Sequence, residues 1–228
     1  MSTTGKRKEG FTAELWNRAA PIYEQIIEHP FLAGLSDGSL PDECFRHYVL
    51  QDALYLSEYA RVLSLIGVRS GEDETLAMFN EHSSGAIAVE RELHESFLSE
   101  LGISDSEASR AKPAPTTLAY TSYLLRTAAL GSYAEALCAA LPCYWIYREV
   151  GSELSKVSSP VPRYDRWIQT YAGEDFGRLV EAVLDLTDNV GERLSEDERS
   201  RAANAFETAA RYEWMFWNMG WTLEIWPV

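Results

Sequence analysis

Apolar residues recur at helical spacing through nearly the whole chain, and this pattern constrains the fold more than any other feature. In the first segment, Phe11, Leu15, Ile22 and Ile26 fall on one side of a helix. No stretch shows the strict apolar–polar alternation of a half-buried strand or a convincing hairpin turn. The sequence therefore predicts an all-α protein, with helices of roughly 20–30 residues packed as a bundle.

Prolines and small polar residues predict the helix boundaries. A first helix over residues 11–29 is expected to end at His29, because a residue that precedes proline avoids the helical conformation. The segment 31–39, which contains two glycines, is expected to be a loop. Ser39 is then the expected cap of a second helix.

Later boundaries are marked by two capping boxes, in which a serine is followed three residues later by glutamate: Ser132 with Glu135, and Ser195 with Glu198. The second and later helices are predicted, approximately, over residues 39–68, 72–101, 115–130, 132–156, 164–171, 175–194 and 195–226.

Composition favours one globular domain over residues 11–228, preceded by a disordered tail over residues 1–10. No apolar run reaches the roughly 18 residues of a membrane-spanning helix. The net charge of −15 would be repelled by phosphate backbones, so nucleic acid is not an expected partner. Three cysteines, without a CxxC pair, favour a reducing cytoplasm over a secreted disulfide framework.

Residues 141–151 combine a proline inside a predicted helix with an adjacent thiol. Pro142 has no amide hydrogen to donate, and its ring clashes with the preceding turn, so the helix is expected to bend there. Cys143 follows directly, among several aromatic residues. Such a thiol is either a reactive group or part of a crowded core, and the spacing alone leaves both interpretations open.

Two carboxylates lie among aromatic residues. Asp52 shares a helix face with Tyr48, Tyr55 and Tyr59, either as a functional group or on an exposed face. Glu213 lies in the aromatic segment 212–217, where burial would raise its pKa and suit it to proton donation. An ion pair with an arginine at an interface explains Glu213 equally well.

The histidines offer little support for a metal site. Glu90 and His94 are four residues apart and could ligate a metal, although a solvated ion-pairing face explains them more simply. No Glu-x-x-His motif of the di-iron bundle type occurs, so no metal is expected.

Several motifs, in order along residues 11–226, resemble the TenA family, in the branch that carries a cysteine. The stretches that carry the resemblance are Tyr48-Val-Leu-Gln-Asp52-Ala-Leu-Tyr55-Leu, Pro115-Thr with Tyr120-Thr-Ser, Leu141-Pro-Cys143-Tyr-Trp-Ile-Tyr147, Trp167-Ile-Gln-Thr-Tyr171 and Tyr212-Glu213-Trp-Met-Phe216-Trp217. The family has a haem-oxygenase-like helical fold, and its members are thiaminase II or aminopyrimidine aminohydrolase enzymes. The resemblance thus implies a C–N hydrolase of thiamin salvage.

The resemblance also implies a role for each matching polar residue. Cys143 would be the nucleophile that adds to the pyrimidine ring, and Glu213 would protonate a ring nitrogen and later take the proton back. Asp52 would hold the exocyclic amine and the other ring nitrogen. Of the tyrosines, Tyr120 and Tyr171 would line the pocket, whereas Tyr55 and Tyr147 would supply hydroxyl groups near the thiol and the departing amine.

The implied reaction converts 4-amino-5-aminomethyl-2-methylpyrimidine to hydroxymethylpyrimidine and ammonia, and thiamin is a possible second substrate. No metal or organic cofactor is implied, and family members typically form homotetramers. Two other classes stay open. One is a non-catalytic helical protein that binds pyrimidine or thiamin, and the other is a haem-oxygenase-like metal or redox protein that would use His82 and His94.

Overall fold

The computed structural model describes residue 7 and residues 9–93, 97–98 and 100–228. All regular secondary structure in these ranges is helical, so the prediction of an all-α fold is confirmed. The helices are α1 (Phe11–Ile27), α2 (Pro30–Asp37), α3 (Asp42–Arg69), α4 (Asp73–Leu93), α5 (Asp105–Ala108), α6 (Pro115–Leu130), α7 (Tyr133–Leu154), α8 (Pro162–Ala172), α9 (Glu174–Gly191) and α10 (Glu196–Thr222).

The helices group into two compact units, each made of two separate parts of the chain. One unit, here the first unit, contains the described residues up to Ser39 together with Ala134–Trp214. The second unit contains Leu40–Tyr133 and Met215–Val228. The prediction of one domain over residues 11–228 stays a prediction.

In the first unit, polar side chains fix several helix ends. The Asp188 carboxylate on α9 accepts hydrogen bonds from the Thr12 amide and hydroxyl at the start of α1, at 2.7 and 2.9 Å. The predicted capping box before α10 is confirmed. The Ser195 amide donates to the Glu198 carboxylate at 2.9 Å, and the Glu198 amide donates to the Ser195 hydroxyl at 3.4 Å.

Helix α2 occupies most of the segment predicted to be a loop, so that prediction was wrong. The His29 ring nitrogen Nδ1 accepts the Phe31 amide at 3.1 Å, and Pro30 supplies the first helical residue. Gly38 ends α2 with a φ of 81°, in the left-handed conformation that suits glycine. The His29-Pro30 pair therefore ends one helix and begins the next.

Other boundaries also differ from the prediction. Pro41, not Ser39, is the cap of α3, and it provides no side-chain hydrogen bond. Helices α1, α7, α9 and α10 end two to four residues before their predicted ends. Helix α4 is described only to Leu93, and residues 94–96 and 99 of the predicted helix lie outside the described residues.

In the second unit, α3 side chains bind backbone groups at or next to both ends of α6. The Gln51 side chain donates to the Lys112 carbonyl at 3.1 Å and accepts the Ala114 amide at 2.8 Å. Arg69, at the other end of α3, donates to the carbonyls of Ala128 and Gly131. Gln51, the earlier residue of α3, binds next to the start of α6, and Arg69, the later one, binds at its end. The two helices therefore run parallel.

The C-terminal segment after α10 also packs within the second unit. The Glu224 carboxylate accepts the amide and hydroxyl of Thr116 at 2.9 and 3.1 Å and so caps α6. Among the described residues, no helix is long and apolar enough to cross a membrane. Most of the predicted N-terminal tail, residues 1–6 and 8, lies outside the described residues.

Candidate active site

The second unit brings together three of the residues singled out from the sequence. Asp52 and Tyr55 lie one turn apart on α3, and Tyr120 lies on α6. The ring centres of Tyr55 and Tyr120 are 5.1 Å apart, and all three side chains are buried. This confirms that Asp52 does not lie on an exposed face, which was the alternative interpretation.

The Asp52 carboxylate is deeply buried, with 3% of the residue exposed. Burial raises its pKa from 3.8 to about 7, because removal from water disfavours the charged form. No hydrogen bond to this carboxylate occurs within the described part of the chain. Asp52 can therefore gain or lose a proton near neutral pH, and a ligand with polar edges could satisfy it.

Asp52 should make the stability of the protein depend on pH. Its folded-state pKa is raised to about 7, so the folded protein binds one proton more than the unfolded chain between pH values of about 4 and 7. Stability should thus fall as pH rises through this window, by up to about 1.4 kcal/mol per pH unit from this residue. Denaturant unfolding of the wild type and Asp52→Asn at pH 4 to 8 measures the effect. The stability of the variant relative to the wild type should rise with pH, and a constant difference would contradict the burial effect.

Further aromatic rings surround the tyrosines of the second unit. Tyr59 stacks on Tyr55 with ring centres 5.4 Å apart, and Phe216 lies 5.4 Å from the same ring. Phe216 also meets Tyr48 edge to face at 5.7 Å. These contacts fix the Tyr55 ring from several sides. A site for a flat ligand needs aromatic rings held in place in this way.

In the first unit, α7 carries Cys143 and Tyr147 one turn apart. The Tyr147 ring lies 4.8 Å from that of Tyr171 on α8, so the structure brings these two predicted site residues together. Pro142 lies inside α7. The expected bend at Pro142 stays a prediction.

Gly151 allows the close approach of α8 to α7 that positions Tyr171. A Cβ atom at Gly151 would lie 2.6 Å from the backbone carbonyl carbon of Tyr171 and 2.8 Å from its Cβ. Both distances are far below van der Waals contact, so only glycine fits here without a shift of α8. Gly151, the last residue of the segment 141–151, therefore allows α7 and α8 to pack closely.

Among the three cysteines, Cys143 is the most accessible. It is partly exposed, whereas Cys44 and Cys138 are buried. Burial strongly raises the pKa of the Cys138 thiol, which disfavours its thiolate. The Cys44 thiol donates to the Trp221 carbonyl at 3.4 Å, and burial raises its pKa as well. Cys143 is therefore the cysteine best suited to react.

Glu213 lies on α10, and only 1% of its surface is exposed. This confirms the expected burial of the carboxylate. A second buried carboxylate of the first unit, Glu149, forms an ion pair with Arg148 at 2.9 Å. Arg148 also pairs with Glu181. Glu149 thus has a structural partner within the first unit.

The metal-site hypothesis finds no support in the described ranges, which contain no group of three or more potential ligands. His82 is buried, and burial lowers its pKa. Its ring meets Phe79 edge to face at 6.0 Å. His94 and the side chain of Glu90 lie outside the described residues.

Two ring neighbours of the predicted tyrosines were not assigned from the sequence. Trp167 lies 4.8 Å from Tyr171, and Phe216 lies 5.4 Å from Tyr55. Trp167 could have been found from its position four residues before Tyr171 on one helix face. Phe216 could not, because its contact joins residues far apart in the chain.

Comparison with known proteins identifies similar chains along almost the whole length. The model of the TENA/THI-4/PQQC family matches residues 16–223. An aminopyrimidine aminohydrolase of Halalkalibacterium halodurans is 37% identical over 218 residues, which cover 95% of this chain and 97% of that protein.

Solved structures agree on the fold. The TenA homologue protein from P. horikoshii OT3 superposes with a TM-score of 0.86 at 30% identity, covering 94% of this chain and 99% of that one. A domain of unknown function from Shewanella denitrificans OS217, described as having a haem oxygenase-like fold, gives a TM-score of 0.73 at 17% identity, with 93% and 92% covered. The haem-oxygenase-like architecture implied by the resemblance is confirmed.

Proposed function

Because this chain belongs to the TENA/THI-4/PQQC family, we propose that it is an aminopyrimidine aminohydrolase of thiamin salvage. It hydrolyses the C–N bond of 4-amino-5-aminomethyl-2-methylpyrimidine and yields hydroxymethylpyrimidine and ammonia. The observation that carries this proposal is the similarity, along nearly the whole chain, to the aminopyrimidine aminohydrolase of Halalkalibacterium halodurans. The accessible Cys143 thiol and the buried Asp52 carboxylate provide the types of group that the reaction needs.

In the proposed mechanism, the Cys143 thiolate adds to the unsubstituted ring carbon, C6, next to the carbon that bears the aminomethyl group. Glu213 protonates the adjacent ring nitrogen, so the ring accepts the electron pair without a full negative charge. The side-chain amine is protonated and leaves as ammonia, expelled by the lone pair of the exocyclic amine through the ring double bond, which leaves an iminium and an exocyclic methylene. Water adds to this methylene and releases one proton, which restores the exocyclic amine and forms the hydroxymethyl group. The thiolate then departs, and the ring nitrogen returns its proton to Glu213.

Asp52 holds the exocyclic amine and a ring nitrogen in this mechanism. The amine gains positive charge as ammonia departs, and a carboxylate that accepts its hydrogen bond stabilises that charge. The pKa of Asp52, about 7, also allows the protonated acid to donate to a ring nitrogen while its second oxygen accepts from the amine.

The tyrosines bind the ring and assist the departing group. Tyr120 and Tyr171 line the ring, and Tyr55 and Tyr147 provide hydroxyl groups for the thiol and the leaving amine. The contacts of Tyr55 with Tyr120 and of Tyr147 with Tyr171 support this assignment, since each pair holds its rings within 5.1 Å. None of these steps needs a metal or an organic cofactor.

Thiamin is a second proposed substrate, because the assigned residues bind only the pyrimidine half that both compounds share. We also propose a cytoplasmic homotetramer that does not bind nucleic acid. The exposed side chains of Trp221 and Trp226 in the C-terminal part of the second unit support a subunit interface, since large exposed apolar groups favour association.

The decisive experiment measures ammonia release by the purified wild type from aminomethylpyrimidine, with thiamin assayed in parallel for its pyrimidine product. We expect turnover of aminomethylpyrimidine, with a larger kcat/KM than for thiamin, and no loss of activity after treatment with a metal chelator. Tight binding of the pyrimidine without turnover would instead identify a non-catalytic binding protein. Stoichiometric iron in the purified protein would favour the metal or redox alternative.

A further inference from the structure

Thr117 on α6 has a buried hydroxyl group without a hydrogen-bond partner among the residues that the structure describes. One per cent of the residue is exposed, and its Oγ1 atom is unsatisfied within these residues. The three other threonines of α6 have hydrogen-bonded hydroxyl groups. Thr116 donates to the Glu224 carboxylate at 3.1 Å, and Thr121 and Thr127 donate to carbonyl oxygens four residues earlier, both at 2.8 Å. A buried polar group without a partner is uncommon and costs stability, which calls for a specific explanation.

The packing of α3 against α6 places Thr117 and Asp52 at a similar level along the two helices. Tyr55 on α3 and Tyr120 on α6 are in ring contact at 5.1 Å. The two helices run parallel, and three residues back on each helix lie Asp52 and Thr117. The same step of about 4.5 Å on both helices therefore brings these residues to one level.

A second contact of α3 lies on the N-terminal side of Asp52 and Thr117. The Gln51 side chain accepts at 2.8 Å the amide of Ala114, the residue just before α6 and three residues before Thr117. Along the chain, Asp52 and Thr117 thus lie between this contact and the Tyr55–Tyr120 contact. Both are buried, and neither the carboxylate nor the threonine hydroxyl has a hydrogen-bond partner in the described residues.

We propose that the Thr117 hydroxyl is a specificity-determining group that binds the exocyclic amine of the aminopyrimidine together with Asp52. This inference rests on the proposed function. An aromatic amine has two N–H hydrogens, and a carboxylate that also contacts the neighbouring ring nitrogen can accept only one of them. The threonine oxygen accepts the other.

The Thr117 contact should stabilise only those substrates that carry the exocyclic amine. A neutral hydroxyl that accepts a hydrogen bond stabilises the amine further as positive charge develops on it during ammonia loss. A ring without the amine cannot use this contact and leaves the hydroxyl unsatisfied. Thr117 and Asp52 together therefore select 4-aminopyrimidines over pyrimidines without the amine.

The test compares hydroxymethylpyrimidine binding, measured by calorimetry, among the wild type, Thr117→Val and Thr117→Ser. Valine keeps the shape of threonine but lacks the hydroxyl, so we expect binding to weaken by about 10-fold, whereas serine should stay within about twofold of the wild type. The unliganded valine variant should melt no lower than the wild type, because it loses a buried hydroxyl for which the described residues provide no partner. Thr127→Val is the matched control on the same helix and should bind like the wild type.

The analogue 5-hydroxymethyl-2-methylpyrimidine, which lacks the amine, completes the test. Wild type and Thr117→Val should bind it equally, since the contact is absent in both. Wild-type affinity of the valine variant for hydroxymethylpyrimidine would overturn the inference, and so would an equal loss of affinity for both ligands. Failure of the wild type to bind or turn over any aminopyrimidine would overturn the proposed function, and this inference with it.

Discussion

Replacement of Cys143 by alanine is expected to abolish hydrolysis of aminomethylpyrimidine, with kcat/KM at least about 10³-fold lower. Alanine cannot form the bond to the ring carbon, and without that addition the ring stays aromatic, so the exocyclic amine cannot expel ammonia. No other cysteine can replace Cys143, because Cys44 and Cys138 are buried. Ammonia release measured with purified variant and wild type gives the size of the loss directly.

The matched control for this experiment is Cys138→Ala, on the same helix. The Cys138 thiol is buried with a strongly raised pKa, so its removal should change kcat little. Alkylation of the native protein by iodoacetamide, followed by mass spectrometry, should label Cys143 first, and bound hydroxymethylpyrimidine should slow that labelling. An alanine variant at Cys143 that keeps wild-type activity would refute the nucleophile assignment.

Helix boundaries could be predicted where a single residue imposes them. Helix α6 begins at Pro115 and ends at Leu130 before Gly131, as predicted, because proline suits the first turn and glycine interrupts the last. The Ser195–Glu198 box likewise forms with both expected hydrogen bonds. Such signals act through local backbone chemistry and do not depend on the rest of the fold.

Helix α2 shows where local signals mislead. Gly34 and Gly38 suggested a loop, but Gly34 lies inside the helix and is buried among its apolar residues. The loss of helix propensity at one glycine, about 1 kcal/mol, is smaller than the gain from burying Phe31, Leu32 and Leu35. Burial in the tertiary structure determined the helix here, and the local sequence does not show which residues become buried.

The candidate site was predictable only along single helices. Spacing placed Asp52 with Tyr55, because residues three or four apart share a helix face. The pairs Tyr55–Tyr120 and Tyr147–Tyr171 join different helices, so their contacts depend on packing that no spacing rule supplies. Thr117 could not be recognised at all, since an unsatisfied hydroxyl is visible only once its surroundings are known.

The second large effect is expected for Glu213→Gln, which should lower kcat by about 10²- to 10⁴-fold. Glutamine has nearly the same size and shape as glutamate but cannot transfer a proton to or from the ring nitrogen. Only 1% of Glu213 is exposed, so solvent should not easily supply that proton in its place. Single-turnover measurements of ammonia release isolate the chemical steps from product dissociation.

Glu207→Gln provides the control, because Glu207 lies on the same helix and pairs with Arg211 at 2.6 Å near the surface. This exchange removes a carboxylate from α10 without touching the proposed chemistry, so kcat should change by less than about twofold. Circular dichroism and the melting temperature establish whether each variant folds. If folded Glu213→Gln retained wild-type kcat, the ring nitrogen would have to receive its proton from another group, and the assignment of Glu213 as the acid would fail. If the variant instead bound hydroxymethylpyrimidine normally but turned over slowly, the carboxylate would act in the chemical step and not in ground-state binding.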